Sequence, residues 1–263
     1  MIRAVLFDVD FTLIQPGPMF RAEGYHAFCA RYGIAVDPAR FDAAVAGAAS
    51  ILDGPEDLPY DAEIFVQYTR HIIESMGGNG VHMDACARAI YAEWASNHHF
   101  ELYEDVPAAL ERLIAAGIRI GVISNSHRPL DAFLSHFDLA ETVSAAVSSA
   151  EHGLMKPHPS IFHAALQRLN VVPADAVMVG DQVRHDVEGA LRAGLRGVFL
   201  HRRSGLPPRV DELAVLGVPT IRTLDDLPAA LAAIDECSVN SGLDSRSVRP
   251  PSPSRLRRGR TGV

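Results

Sequence analysis

Arg3-Ala4-Val5-Leu6-Phe7-Asp8-Val9-Asp10-Phe11-Thr12 is the stretch from which the rest of the chain can be read. Ala4 to Phe7 is an unbroken apolar run, which suits a strand buried on both faces, and it ends in two carboxylates one residue apart. Strand side chains alternate, so Asp8 and Asp10 are expected on one side, where an open α/β sheet keeps its ligands. Two like charges so placed need a cation, a shared proton or a hydrogen-bonded role. The other residues have to supply that reason.

Downstream, Leu13 to Pro18 holds two prolines around a glycine and reads as a linker. From Met19 to about Asn97 only helical periodicity is found, through Phe20, Ala27 and Phe28, then Phe65, Tyr68, Ile72 and Met76, then Ile90 and Trp94. Asp61 and Asp84 are the expected N-caps, and Gly77-Gly78 the expected stop. These helices should make a small bundle with the aromatic stripes as its core.

From Glu101 the rhythm changes. Asp105 should cap a helix carrying Leu110, Leu113 and Ile114, and Gly117 should end it. Strands are then expected at Ile118–Ile123, Val143–Val147, Ala176–Val179, Gly197–Leu200 and Thr220–Arg222. The helices between them carry Leu130, Phe133, Leu134 and Phe137, then Ile161, Ala165 and Leu169, then Val187, Ala190 and Leu191. Strands alternating with helices predict an α/β fold, a doubly wound parallel sheet with an inserted helical domain. The expected division is a core of residues 1–16 and 100–237, a helical cap of 17–99, and a tail, 238–263, rich in Arg, Ser and Pro and expected to be disordered.

Charge narrows the function classes. The formal net charge is −8, but residues 238–263 hold six Arg and one Asp, leaving 18 basic and 31 acidic groups on residues 1–237. Such a body is a poor nucleic-acid binder. No run approaches the roughly 18 apolar residues of a membrane span, and the chain enters its first strand at once, so a cytoplasmic protein without membrane contact is expected. Cys29, Cys86 and Cys237 are too scattered for a disulfide framework or a zinc site and are read as reduced thiols. Lys156 is the only lysine beside 23 arginines, which invites a specific role for a compact ammonium.

Four polar clusters fall at successive strand ends: Asp8 to Thr12, Ser124-Asn125, Lys156, and Gly180-Asp181 with Asp186. Phosphoryl transfer calls for such a set. Asp8, Asp181 and Asp186 can hold a hard cation such as Mg²⁺, while Lys156 and the Ser124 hydroxyl can hold phosphate oxygens. His127, His152, His158 and His185 lie near the same ends as candidate substrate contacts, and Arg128 and Arg184 as candidates for a second anionic group. No HExxH pairing indicates zinc.

In order and spacing these clusters resemble the haloacid dehalogenase superfamily of phosphatases and related enzymes, over nearly all of residues 1–231. DxDxT is Asp8-Val9-Asp10-Phe11-Thr12, the second motif's hydroxyl is Ser124, the third motif's lysine is Lys156, and the acidic fourth motif is Gly180-Asp181…Asp186. The helical insertion resembles the family's C1-type cap.

The resemblance implies a nucleophilic Asp8 that becomes an aspartyl phosphate, and an Asp10 that serves as general acid and base. It implies Mg²⁺ on Asp8, Asp181 and the Asp10 carbonyl. Ser124, Asn125 and Lys156 would bind the phosphate, and Thr12 and Asp186 would support the site. An acid at position 10 favours a phosphatase, or a phosphomutase, over a dehalogenase, which needs no proton donor there. A non-catalytic interaction protein would have no need of Asp8, Asp10, Lys156 and Asp181 together.

A helical lid favours a small phosphorylated metabolite, with Met19, Phe20, Arg21 and the loop Asp53-Gly54-Pro55-Glu56-Asp57 as candidate specificity contacts. Many relatives carry Gly where this chain has Phe11, which implies a more crowded turn. No sequence feature specifies an oligomeric state.

Overall fold

The computed structural model describes residues 1–53, 59–202 and 209–244. Eight strands are present among them: β1 Ala4–Phe7, β2 Ile14–Pro16, β3 Phe100–Leu102, β4 Arg119–Ser124, β5 Ala145–Ser148, β6 Ala176–Gly180, β7 Arg196–Leu200 and β8 Thr220–Ile221. Six form one parallel sheet in the order β5-β4-β1-β6-β7-β8. Phe7 at the end of β1 lies in register with Val122 on one side and Val179 on the other. From β1 the chain moves outward to β4 and β5, then returns to β6 and moves the other way. The carboxyl ends of β1 and β6 therefore flank the switch point, where such sheets open a crevice.

All four residues of β1 are buried, and Phe7, Val122, Val179 and Val198 are essentially inaccessible. Each large apolar side chain so enclosed contributes about 1.5–3 kcal/mol relative to exposure. The sheet is thus held by apolar interiors that end in polar residues at one rim.

The segment expected to be a linker is not one. β2 pairs antiparallel with β3, Ile14 opposite Leu102 and Pro16 opposite Phe100, so the two passages between the core and the helical block form a single ribbon. Between them run α1 Ala22–Arg31, α2 Phe41–Ala48, α3 Ala62–Ser75 and α4 Met83–Glu93, with short 3₁₀ turns. Asp61 caps α3 by accepting from the Glu63 amide at 2.9 Å. Asp84 lies instead within the first turn of α4, where the position before the helix is His82. α1 buries Tyr25, Phe28 and Cys29, whereas Ala27 is exposed. Cys29 and Cys86 are free, buried, and 3.9 Å apart at sulfur; the Cys237 side chain lies outside the described residues.

In the core, α5 Val106–Ala115 ends at Gly117, which adopts φ +71°. Ile114 is half exposed, so the buried face of α5 is Val106, Ala109, Leu110 and Leu113. Asp105 precedes α5 without capping it, because its carboxylate is taken by Arg202, Thr223 and the Leu224 amide. Next come α6 Leu130–His136, α7 Ser149–His152 and α8 Pro159–Leu169. Val143 stays in the turn before β5, bonded to the Leu139 carbonyl.

The helix expected through Val187 begins as a π-helical turn, Val183–Glu188, before α9 Gly189–Arg192. α10 is Val210–Val215, and α11 Leu227–Asp244 runs seven residues into the stretch expected to be disordered. Residues 54–58 and 245–263, on which part of the lid loop and the basic tail fall, lie outside the described residues.

Candidate active site

β1 stops at Phe7, and Asp8 to Ile14 wind back on themselves. The amides of Thr12, Leu13 and Ile14 all point to the Val9 carbonyl, at 3.3, 2.9 and 3.1 Å, and the Phe11 amide donates to the Ile14 carbonyl at 2.8 Å. Closing so tight a turn requires a left-handed residue, and Phe11 supplies it at φ +63°. Asp8 and Asp10 are therefore placed by a turn rather than by strand alternation. Thr12 is buried, and its carbonyl accepts two donors from the Arg202 guanidinium, at 3.2 and 2.9 Å.

Asp8 meets Lys156 at the switch point. The Lys156 ammonium, 2% exposed, donates to Asp8 Oδ1 at 2.5 Å, Asp186 Oδ1 at 2.7 Å and the Ile123 carbonyl at 3.0 Å. Those three acceptors use all three of its protons. Burial works against its charge, but the carboxylates of Asp186 and Asp8 outweigh burial and hold its pKa above the ordinary lysine range. Burial pushes Asp8 up to about 7 although Lys156 pulls the other way, and Asp186 adds to the rise.

Asp186 reaches this position because the π-turn widens the helix start. The Asp186 and Val187 amides both bond to the Gln182 carbonyl, and Asp186 Oδ2 accepts from the Gln182 amide at 3.0 Å. Gly180 leaves the necessary room, since a Cβ there would stand 2.2 Å from Asp186 Oδ2.

Carboxylate oxygens of Asp8, Asp181 and Asp186 lie within 4.8 Å of one another. An all-oxygen, anionic donor set beside a buried Asp8 fits a hard divalent cation. Both Asp186 oxygens are already engaged, which leaves Asp8 and Asp181 as the acids for direct contact.

Ser124 is fully buried at the end of β4 and shares a 2.8 Å hydrogen bond with Ser126. Asn125 grips the main chain of Lys156, donating to its carbonyl and accepting from its amide, both at 2.8 Å. Asp10 Oδ1 accepts from Arg128 at 2.9 Å. Sequence reasoning offered Arg128 to a second substrate anion; the structure instead encloses it at 1% exposure against Asp10. Ser126 was missed, although its alternation with Ser124 past the strand end was a readable signal.

The histidines mainly hold loops. His158 accepts from the Ser160 amide at the start of α8, and His152 bonds the Ser160 hydroxyl. His185 bonds Gln182 at 2.6 Å, and His127 packs 4.2 Å from the Tyr91 ring. Burial lowers the pKa of His127, His152 and His185 and so favours the neutral form of each. Arg184 reaches Asp53 at 3.3 Å, joining the core to the helical block. Phe20 is a packing residue, 4.5 Å from Trp94, and Arg21 bonds the Pro16 carbonyl.

A parallel sheet flanked by helices whose central strand delivers an acid to a buried lysine, with two further acids after the next strand, is the arrangement of a haloacid dehalogenase-type hydrolase. The chain belongs to that family: residues 2–194 match the haloacid dehalogenase-like hydrolase model. It is 28% identical over 241 residues to haloacid dehalogenase-like hydrolase domain-containing protein 3 of Danio rerio, covering 88% of this chain and 96% of that protein. It is 34% identical over 165 residues to human N-acylneuraminate-9-phosphatase, covering 59% of this chain and 62% of that protein. Its fold is similar to that of a solved haloacid dehalogenase family hydrolase from Deinococcus radiodurans R1, determined with bound phosphate and sodium. The TM-score is 0.62 at 23% identity, over 89% of this chain and 96% of that one. The protein is thus a hydrolase with phosphatase-named relatives.

Proposed function

We propose that this hydrolase is a Mg²⁺-dependent phosphatase of small phosphorylated metabolites, working through a phosphorylated Asp8. The observation that carries the reading is the Lys156 ammonium held between Asp8 and Asp186, at 2.5 and 2.7 Å, at the sheet's switch point. A fixed positive charge there orients the Asp8 carboxylate and lowers its repulsion from an anionic phosphate. The phosphatase name of a relative 34% identical to this chain supports the same reaction class.

Asp8 Oδ attacks phosphorus as the bond to the ester oxygen breaks, and the Asp10 carboxyl gives that oxygen its proton. The alcohol then leaves. Asp10, now a carboxylate, takes a proton from water as its oxygen attacks phosphorus, the Asp8–phosphorus bond breaks, and inorganic phosphate departs. Lys156 sets its positive charge beside the phosphate while it holds Asp8 and Asp186, Ser124 would hold a phosphate oxygen, Asn125 fixes the main chain of Lys156, and Thr12 steadies the Asp10 turn through its carbonyl. Asp8, Asp181 and the Asp10 carbonyl would hold Mg²⁺, which supplies positive charge against the anionic phosphate.

The helical block over the crevice and the net negative body favour small esters over nucleic acids or membranes; among the described residues no helix is long and apolar enough to cross a membrane. Phosphate release from a panel of sugar phosphates, acyl-sugar phosphates, phosphoserine and nucleotides, with Mg²⁺ and with chelator, tests the reading. Release that chelator abolishes and Mg²⁺ restores is expected. An absence of release across the whole panel overturns it.

A further inference from the structure

Among the described residues, Arg128 is the largest fully buried side chain. Its guanidinium has three kinds of partner, and they sit on different parts of the chain. Nη2 donates to Asp10 Oδ1 at 2.9 Å and to the Trp94 carbonyl at 3.0 Å, and Nη1 donates to Asn97 Oδ1 at 3.4 Å. The guanidinium Cζ lies 4.2 Å from the Phe100 ring centroid. Trp94 closes α4, and Phe100 opens β3, so every hydrogen-bond partner of the guanidinium except Asp10 belongs to the passage by which the chain returns from the helical block, while the Phe133 ring of α6 lies 5.8 Å away on the core side. Asp10 in turn bridges to Ile14, the first residue of β2 and of the outgoing passage.

A buried guanidinium is costly unless its donors are met; Nε finds no partner here, and the three contacts made through Nη1 and Nη2 persist only if the return passage and the Asp10 turn keep this relative position. The surrounding rings add stiffness. Trp94 packs against Phe11, Phe20 and Phe100 at 6.2, 4.5 and 5.0 Å, which ties the residue after Asp10 to both passages.

We propose that Arg128 is a positioning residue that couples the return passage of the helical cap to the Asp10 carboxylate, so that the cap's placement sets where the proton donor stands. This rests on the reading of Asp10 as acid and base given above. Arg128 touches neither phosphate nor leaving group. It acts through Asp10, and its fork is needed because a lysine could not serve Asp10, Trp94 and Asn97 in one plane.

Leaving-group dependence reads this role, because proton donation matters far more for an alkyl ester than for p-nitrophenyl phosphate. Arg128→Gln should lower kcat on an alkyl phosphate about tenfold more than on p-nitrophenyl phosphate, and Arg128→Lys should recover little of it. In an Asp10→Asn background the same Arg128→Gln change should leave the alkyl-to-aryl ratio where Asp10→Asn alone puts it. Equal losses on both esters, or losses that multiply in the double variant, overturn the proposal. If the wild type cleaves neither ester, the phosphatase reading fails separately, and amide hydrogen exchange decides the coupling. Arg128→Gln must then speed exchange in both 94–102 and 9–16, whereas a change confined to the loop around residue 128 overturns it.

Discussion

Phe11 adopts φ +63° in a turn that brings Asp10 beneath Arg128, and a bulky side chain in that region costs about 1–2 kcal/mol. Glycine would avoid the cost. The Phe11 ring repays part of it by packing 6.2 Å from Trp94. The two contributions separate on substitution. Phe11→Ala keeps the strain and loses the ring, while Phe11→Gly loses both, so denaturant midpoints should place the glycine variant above the alanine variant by about 1 kcal/mol. Equal midpoints would mean that the turn is unstrained. Gly180 is a position of the opposite kind, where space rather than torsion decides. A methyl group there collides with the Asp186 carboxylate that holds Lys156, so Gly180→Ala should fold but lose about 10²-fold in kcat. Retention of wild-type kcat would show that Asp186 can move without cost. Of these residues, Asp8, Asp10, Lys156, Asp181 and Asp186 were legible in the sequence because motif spacing constrains them. The left-handed backbone of Phe11 and the burial of Arg128 were not, since the first arises from how the Val9–Ile14 turn closes on itself and the second from contacts with Trp94, Asn97 and Asp10 that lie far along the chain.

Strands and helices were legible where they are long and apolar. β1, β4, β6 and β7 were each found to within two residues, since their interiors are continuous runs of Val, Ile, Leu and Phe. β2 and β3 escaped because three-residue strands have no pattern of their own and exist through pairing between Ile14 and Leu102. Asp105 shows the same limit. Its place before α5 reads as a cap, yet its carboxylate receives a bidentate Arg202 at 2.9 Å to each oxygen, with Thr223 and the Leu224 amide adding donors. Burial alone would raise this carboxyl, but the donors outweigh it and hold the pKa below the ordinary aspartate value. A lowered native pKa means that the stabilisation is present above about pH 4 and is lost as pH falls through the lowered value. Asp105→Asn should therefore cost about 2–3 kcal/mol at pH 7, with the gap from wild type narrowing as pH falls below about 4. Chemical denaturation above and below that pH measures it, and a gap that does not depend on pH would rule out the carboxylate as its source.

The order of strands in the sheet explains why residues 8, 124, 156, 181 and 186 meet. They come from four segments, residues 181 and 186 sharing the one after β6, and all arrive at one rim because every strand of the sheet is parallel. That convergence could be anticipated from alternating strands and helices. How the helical block sits on the rim could not, because its seating depends on the β2–β3 ribbon, the Arg184–Asp53 pair and the Phe11–Phe20–Trp94–Phe100 cluster. On the proposed reading, the enclosing block, the buried lysine and the grouped acids together serve one covalent step at Asp8. Turnover of a ³²P-labelled phosphate ester, quenched in acid and followed by peptide mapping, tests that step directly. The label should reside on the peptide that contains Asp8 and be absent from Asp8→Asn. Phosphate release by Asp8→Asn at the wild-type rate, or label confined to another peptide, would contradict it.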